Sequence, residues 1–153
     1  MEKRVYEELE KKVEDLEKAL LRAETERDIY RECRMSESTE QQALFSWAAL
    51  QQGKYPCLAL MFHIPNERKC SAATGARLKR EGVRAGIPDI FLPHACGGYH
   101  GLFIELKDGK GKPSKAQLGK LKALTQAGYM ARWCVGWEAA ARLVLEYVKG
   151  EAK

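Results

Sequence analysis

Leu102-Phe103-Ile104-Glu105-Leu106-Lys107 is the stretch from which this chain's fold can be read. Side chains alternate across a strand, so Leu102, Ile104 and Leu106 form an apolar face that can anchor in a core. Glu105 and Lys107 then project from the other face, roughly 7 Å apart along the chain. A carboxylate and an ammonium share one small volume. Just upstream, Ile87–Leu92 reads as a second strand, and Pro93-His94-Ala95-Cys96-Gly97-Gly98-Tyr99-His100 is the glycine-containing loop that closes the pair into a hairpin. Downstream, Asp108–Lys112 is a Gly/Lys turn, Ser114 can cap a helix running through Ala127, and Gly128 stops it. Tyr129–Val135 reads as a further strand and Glu138–Val148 as a closing helix, with Ala141, Leu145 and Val148 inward.

Towards the N-terminus, Cys57–Ile64 is an apolar run closed by Pro65-Asn66 and is expected to be a buried strand. A helix is expected over about Glu40–Gln52, with Leu44, Trp47 and Leu50 on one side, N-caps supplied by Ser36, Ser38 and Thr39, and a stop at Gly53. Glu67–Ala85 is basic and polar, with a short helix around Ala72–Arg80. The order helix, strand, strand, strand, helix, strand, helix describes an α/β domain over residues 36–153, a mixed central sheet flanked by helices. Residues 1–35 form a separate arm. There Tyr6, Leu9, Val13, Leu16, Leu20, Ala23, Arg27 and Tyr30 follow a 3-4-3-4 spacing in a field of Glu, Lys and Arg, which predicts a coiled-coil-like helix able to pair with a second copy.

At 153 residues the chain has room for one compact domain plus that appendage. No apolar run approaches the ~20 residues of a membrane span, and the N-terminal residues show no apolar leader core, so a cytoplasmic protein is expected. The five cysteines are dispersed without a Cys-x-x-Cys pair, which suits reduced thiols. The net charge of +5 is unevenly spread: residues 1–40 carry nine Lys/Arg against thirteen Asp/Glu, or −4, and residues 41–153 carry seventeen against eight, or +9. A basic body favours polyanions through counterion release, nucleic acid first and acidic membrane surface second.

The chemistry-bearing residues fit phosphodiester cleavage, which needs charge neutralised on a nonbridging oxygen, an oriented water and help for the leaving oxygen. Asp89 and Glu105, on adjacent strands, can offer hard oxygens to Mg2+, which keeps several waters of its own. Lys107 can orient the attacking water, and its pKa is expected to fall if it is partly desolvated. Pro88 fixes the entry to the strand, and Gly86 permits close backbone approach just before it.

Gly86-Ile87-Pro88-Asp89 followed by Leu102-Phe103-Ile104-Glu105-Leu106-Lys107 resembles the PD-(D/E)xK nuclease superfamily and, within it, VRR-NUC domains. Ile64-Pro65-Asn66, the stretch Arg77–Val83, Pro113–Gln117 and Gly128-Tyr129 extend the likeness over about Glu40–Val148. The resemblance implies a restriction-endonuclease-like core. It implies that Asp89 and Glu105 ligate Mg2+ or Mn2+ together with the Leu106 backbone carbonyl, that Lys107 activates water, that Gln117 stands near the site, and that Glu40 is an additional acidic residue reaching the metal directly or through water. It further implies a homodimeric, structure-selective endonuclease of phage or bacterial type, acting on branched DNA such as four-way junctions, in the host cytoplasm if phage-encoded.

The plainer readings are that a lone Glu-x-Lys is a solvent-facing ion pair, that Pro-Asp is a turn, and that Glu40 is an acid complementing a helix N-terminus. A catalytically silent DNA-binding or assembly module with the same fold is the competing functional class. His94, Cys96 and His100 with Cys70 lack zinc-site spacing, His63 reads as an ordinary strand residue, and no Walker-type loop suggests a nucleotide cofactor. Arg68, Lys69, Arg77, Lys79, Arg80 and Arg84 on one side, and Lys110, Lys112 and Lys115 on the other, flank the proposed site in sequence and are the candidates for phosphate contact.

Overall fold

The computed structural model describes residues 36–65 and 72–152, together with Lys11, Lys12, Asp15, Lys18 and Arg22. The chain divides into two compact units, Met1–Arg34 and Met35–Lys153. In the first, the five described residues are helical. The seam residues from Tyr6 to Tyr30, on which the coiled-coil expectation rests, lie outside the described residues.

The second unit opens with helix α1, Glu37–Gln51, whose N-cap Ser36 accepts from the Thr39 amide at 3.2 Å. Glu37 and Glu40 sit in its first turn, where acids complement the helix dipole. A 3-10 helix, Pro56–Leu60, leads into the short strand β1, Phe62–His63. Helix α2 is Ala72–Arg80, β2 is Ile90–Leu92 and β3 is Leu102–Lys107. Helix α3, Lys115–Gln126, crosses to β4, Met130–Val135, and α4, Trp137–Val148, closes the unit.

The strands form one sheet in the order β1-β2-β3-β4. β1 and β3 run antiparallel to β2, and β4 runs parallel to β3 through the α3 crossover. The mixed, helix-flanked sheet expected from the sequence is therefore present. Register sorts its two faces. Ile90 opposes Ile104, Leu92 opposes Leu102, and Met130 and Cys134 lie beside Leu102 and Leu106, so one face is largely apolar, with the exposed Arg132 beside Ile104 the exception in β4. Against it pack Leu44 and Ala48 of α1 and Ala140, Ala141, Val144 and Tyr147 of α4. A fully buried side chain of Leu or Ile size contributes ~1.5–3 kcal/mol, so Leu44, Ile90, Ile104 and Leu106 hold the sheet to its helices. On the other face Phe91 stacks on Phe103 with centroids 4.1 Å apart, and Tyr129 meets both edge-on.

Several expectations are corrected. Cys57–Ile64 is not a buried strand: Leu58 and Met61 are buried, Leu60 and Phe62 are exposed, and the spacing of three is that of a 3-10 turn, entered through Pro56. Only Phe62 and His63 pair as a strand. β2 begins at Ile90 rather than Ile87. Continuing its register would set Pro88 opposite Leu106, and the Asp89 carboxylate takes the Leu106 amide hydrogen at 3.0 Å. α1 starts one turn earlier than Glu40. In α4 the buried residues include Val144 and Tyr147, whereas Leu145 and Val148 are only partly buried.

Candidate metal centre and active site

β3 delivers Glu105 and Lys107 onto the sheet face opposite the main core, and both are nonetheless buried, Glu105 completely. α3 provides the cover at Glu105. Its N-cap Ser114 accepts from the Gln117 amide, and the Gln117 side-chain oxygen accepts from the Ser114 amide at 2.7 Å, a reciprocal capping box. With its oxygen so committed, Gln117 directs its amide nitrogen to Glu105 and donates to Oε1. The helix start can come this near because Gly86, at φ +78°, has no side chain: a Cβ there would lie 2.8 Å from the carbonyl carbon and oxygen of Ala116. The glycine and glutamine of the sequence pattern are thus one packing arrangement.

Lys107 Nζ lies 2.6 Å from Glu105 Oε1 and donates to Glu37 Oε1 at 2.7 Å. One carboxylate oxygen each from Glu37, Asp89 and Glu105 all fall within 4.8 Å of one another. The second Glu105 oxygen, Oε2, is buried without a protein partner, and an unpartnered buried carboxylate oxygen is costly. Beside it, the N–H and C=O of one strand residue leave on the same edge. Leu106 donates its N–H to Asp89, so its carbonyl opens on that side too, while the neighbouring Lys107 carbonyl points to β4 and accepts from Gly136 at 2.9 Å. Three carboxylates, one of them with an orphaned buried oxygen, and a carbonyl are a donor set of the kind Mg2+ or Mn2+ takes.

The electrostatics follow from burial. Desolvation is the largest influence on Glu105 and raises its pKa, the Lys107 hydrogen bond opposes, and the Asp89 charge adds to the rise, leaving the carboxyl pushed up to about 7. Lys107 goes the other way from the sequence expectation. Desolvation alone lowers it, but hydrogen bonds to Glu105 and Glu37 outweigh that and hold the ammonium well above its ordinary value.

The structure brings Asp89, Glu105, Lys107, Gln117 and the Leu106 backbone together. Glu40 is placed differently: its Oε2 accepts from the Trp137 amide at 2.7 Å, at the first residue of α4. Glu37, three residues earlier on the same turn, is the α1 carboxylate within the cluster. Sequence reasoning passed over Glu37 as part of a capping segment; the one available signal was a second acid in the first helical turn. Among the basic candidates, Arg77, Lys79, Arg80, Arg84, Lys110, Lys112 and Lys115 are exposed. Arg77 pairs with Glu81 at 3.4 Å, and Arg84 donates to the Lys79 carbonyl. Arg68 and Lys69 lie outside the described residues.

A mixed sheet that presents an acidic pair and a lysine from two adjacent strands, under the first turn of a crossover helix, is the arrangement expected of the PD-(D/E)xK nuclease fold. A family model described as the VRR-NUC domain matches residues 22–137. A solved structure named "VRR_NUC domain protein" is similar at TM-score 0.67 and 30% identity, over 78% of this chain and 93% of that one. The curated proteins give no match. This chain belongs to the VRR-NUC family, whose domain is of nuclease type with DNA as its implied substrate. Among the described residues no helix is long and apolar enough to cross a membrane.

Proposed function

We propose that this chain is a divalent-metal-dependent endonuclease that hydrolyses DNA phosphodiesters, with Mg2+ or Mn2+ held by Glu37, Asp89, Glu105 and the Leu106 carbonyl. The observation that carries the reading is the convergence of three carboxylates within 4.8 Å around Lys107 and the orphaned Oε2 of Glu105. The metal, when bound, supplies charge neutralisation for the scissile phosphate. Lys107, held by Glu37 and Glu105 at the edge of this carboxylate cluster, would be placed to donate to an attacking water or a phosphate oxygen. Gln117 keeps Glu105 Oε1 aimed, because its own rotamer is locked by the capping box. Glu40 serves here as a brace between α1 and α4 rather than as a ligand.

The finer reading is structure-selective cutting of branched DNA by a homodimer joined through the N-terminal arm, acting in the cytoplasm. It is supported by the strongly basic body and by the heptad spacing, and no sequence-reading helix or finger motif competes with shape recognition. The test incubates the full chain with labelled single strands, duplexes, flaps and four-way junctions, with Mg2+, Mn2+ or EDTA. Cleavage is expected only with metal and is fastest on branched forms. Asp89→Asn and Glu37→Gln are expected to cut at least ~100-fold more slowly, whereas Glu40→Gln keeps a larger share of the rate at saturating metal. Folded wild-type protein that binds DNA and cuts none of these forms identifies a silent module instead.

A further inference from the structure

We propose that His63 is a positioning residue for Asp89, fixing the main chain of that carboxylate from the side opposite Leu106. The inference rests on the metal-centre reading above and adds to it a residue outside the acidic cluster. β1 is a two-residue edge strand, pairing Phe62 with Phe91 and His63 with Ile90. Beyond it the Ile64 amide donates to the Asp89 carbonyl at 2.7 Å, and the ladder stops at Pro65, which has no N–H. So short a strand is a weak anchor for the residue that enters the site.

The His63 ring supplies a second bond to the same carbonyl, Nδ1 to Asp89 O at 2.8 Å. A carbonyl only accepts, so Nδ1 carries the hydrogen in this bond. The Asp89 carbonyl then accepts two bonds, one from His63 at the end of β1 and one from Ile64 just past it, while its carboxylate Oδ2 accepts from Leu106 of β3. Asp89 is clamped between two strands, main chain on one side and side chain on the other. The ring itself is exposed, so packing gives it little reason to hold one orientation. Partners of metal-binding groups typically govern metal affinity 10–100-fold, because they set the ligand's aim before the metal arrives.

The test compares full-length wild type, His63→Ala and His63→Asn by calorimetric titration with Mn2+ at one fixed pH, alongside melting in EDTA. His63→Ala is expected to bind Mn2+ roughly tenfold more weakly, with a metal-free melting temperature close to wild type. The Asn amide nitrogen can stand where Nδ1 stood, and His63→Asn is expected to recover most of the affinity. In cleavage assays the metal concentration for half-maximal rate rises in His63→Ala while the rate at saturating metal is largely kept. Unchanged Mn2+ affinity in His63→Ala overturns the inference, as does a loss that Asn fails to recover or that is matched by an equal loss of metal-free stability. Wild-type protein that takes up no Mn2+ overturns the metal centre itself, a result distinct from wild-type binding that His63→Ala leaves intact.

Discussion

Glu105 gathers the constraints of the site into one side chain: complete burial, two donors on Oε1 and none on Oε2. Its carboxyl is pushed up to about 7 from an ordinary 4.5, chiefly by desolvation, with the Lys107 hydrogen bond opposing and the Asp89 charge contributing. Between those values the folded chain holds a proton at Glu105 that the unfolded chain has released, so its stability falls as pH rises through this window. Lys107, raised in the folded state, has its stabilisation fully present across the same window and loses it only in strong alkali. In EDTA, wild-type melting temperature relative to Glu105→Gln is therefore expected to drop between about pH 5 and about pH 8, by the equivalent of a few kcal/mol. Mn2+ bound at Glu105 would compete with this proton, so the stabilisation it gives is expected to be larger at the higher pH. A flat difference between wild type and Glu105→Gln across that range removes Glu105 as the titrating group. At this scale the sequence was informative for Glu105 and Lys107, because strand alternation puts them on one face. It could not separate Glu37 from Glu40: one helical turn carries both acids, and only tertiary packing sends one to Lys107 and the other to the Trp137 amide.

Elements with a strong periodic signal were legible, and those held by packing were not. β3, its hairpin with β2, α3 with its cap and β4 follow from alternation, glycines and a serine N-cap. The 57–64 segment misled because a continuous apolar run looks alike as a strand or as a 3-10 turn until Leu58 and Met61 are known to share the buried side. The approach of the Gly86 turn to α3 is a relation between elements that spacing alone does not reveal, and it gives a prediction of its own. A Cβ at residue 86 would press on the Ala116 backbone at 2.8 Å, and φ +78° is itself unfavourable to an L side chain. Gly86→Ala is expected to destabilise the fold by ~1–3 kcal/mol and, by shifting the first turn of α3, to loosen the Gln117 bond to Glu105. Its melting temperature should fall and its Mn2+ affinity should weaken in the same variant. Lowered stability with wild-type Mn2+ affinity means that Gln117 keeps its aim without the close approach.

Across the whole chain, charge is segregated: −4 over residues 1–40 and +9 over residues 41–153. The positive excess is partly committed, since Arg77 pairs with Glu81 and Arg84 bonds the Lys79 carbonyl, and such groups have less to offer a phosphate. Lys110 and Lys112 are exposed in the turn that follows Lys107 directly along the chain. Asp108 Oδ1 pins that turn by accepting from the amides of Lys110 at 3.2 Å and Gly111 at 2.8 Å, so its two ammonium groups are presented from a fixed backbone. A cation that contacts a phosphate releases counterions on binding and leaves a slope of about −0.9 in log affinity against log salt for each contact on duplex DNA. Replacing Lys110 and Lys112 together by Ala is therefore expected to flatten the slope by about 2 if both make contact. Affinity should fall alike for unrelated sequences of one DNA shape, because phosphate contacts position without reading bases. Lys79→Ala with Arg80→Ala, on α2, gives the comparison from the other flank of the site. Flattening by the turn pair alone would place the duplex over the β3–α3 turn, flattening by both pairs would span it from α2 to that turn, and no change in either would remove these lysines and Arg80 from the DNA-binding surface.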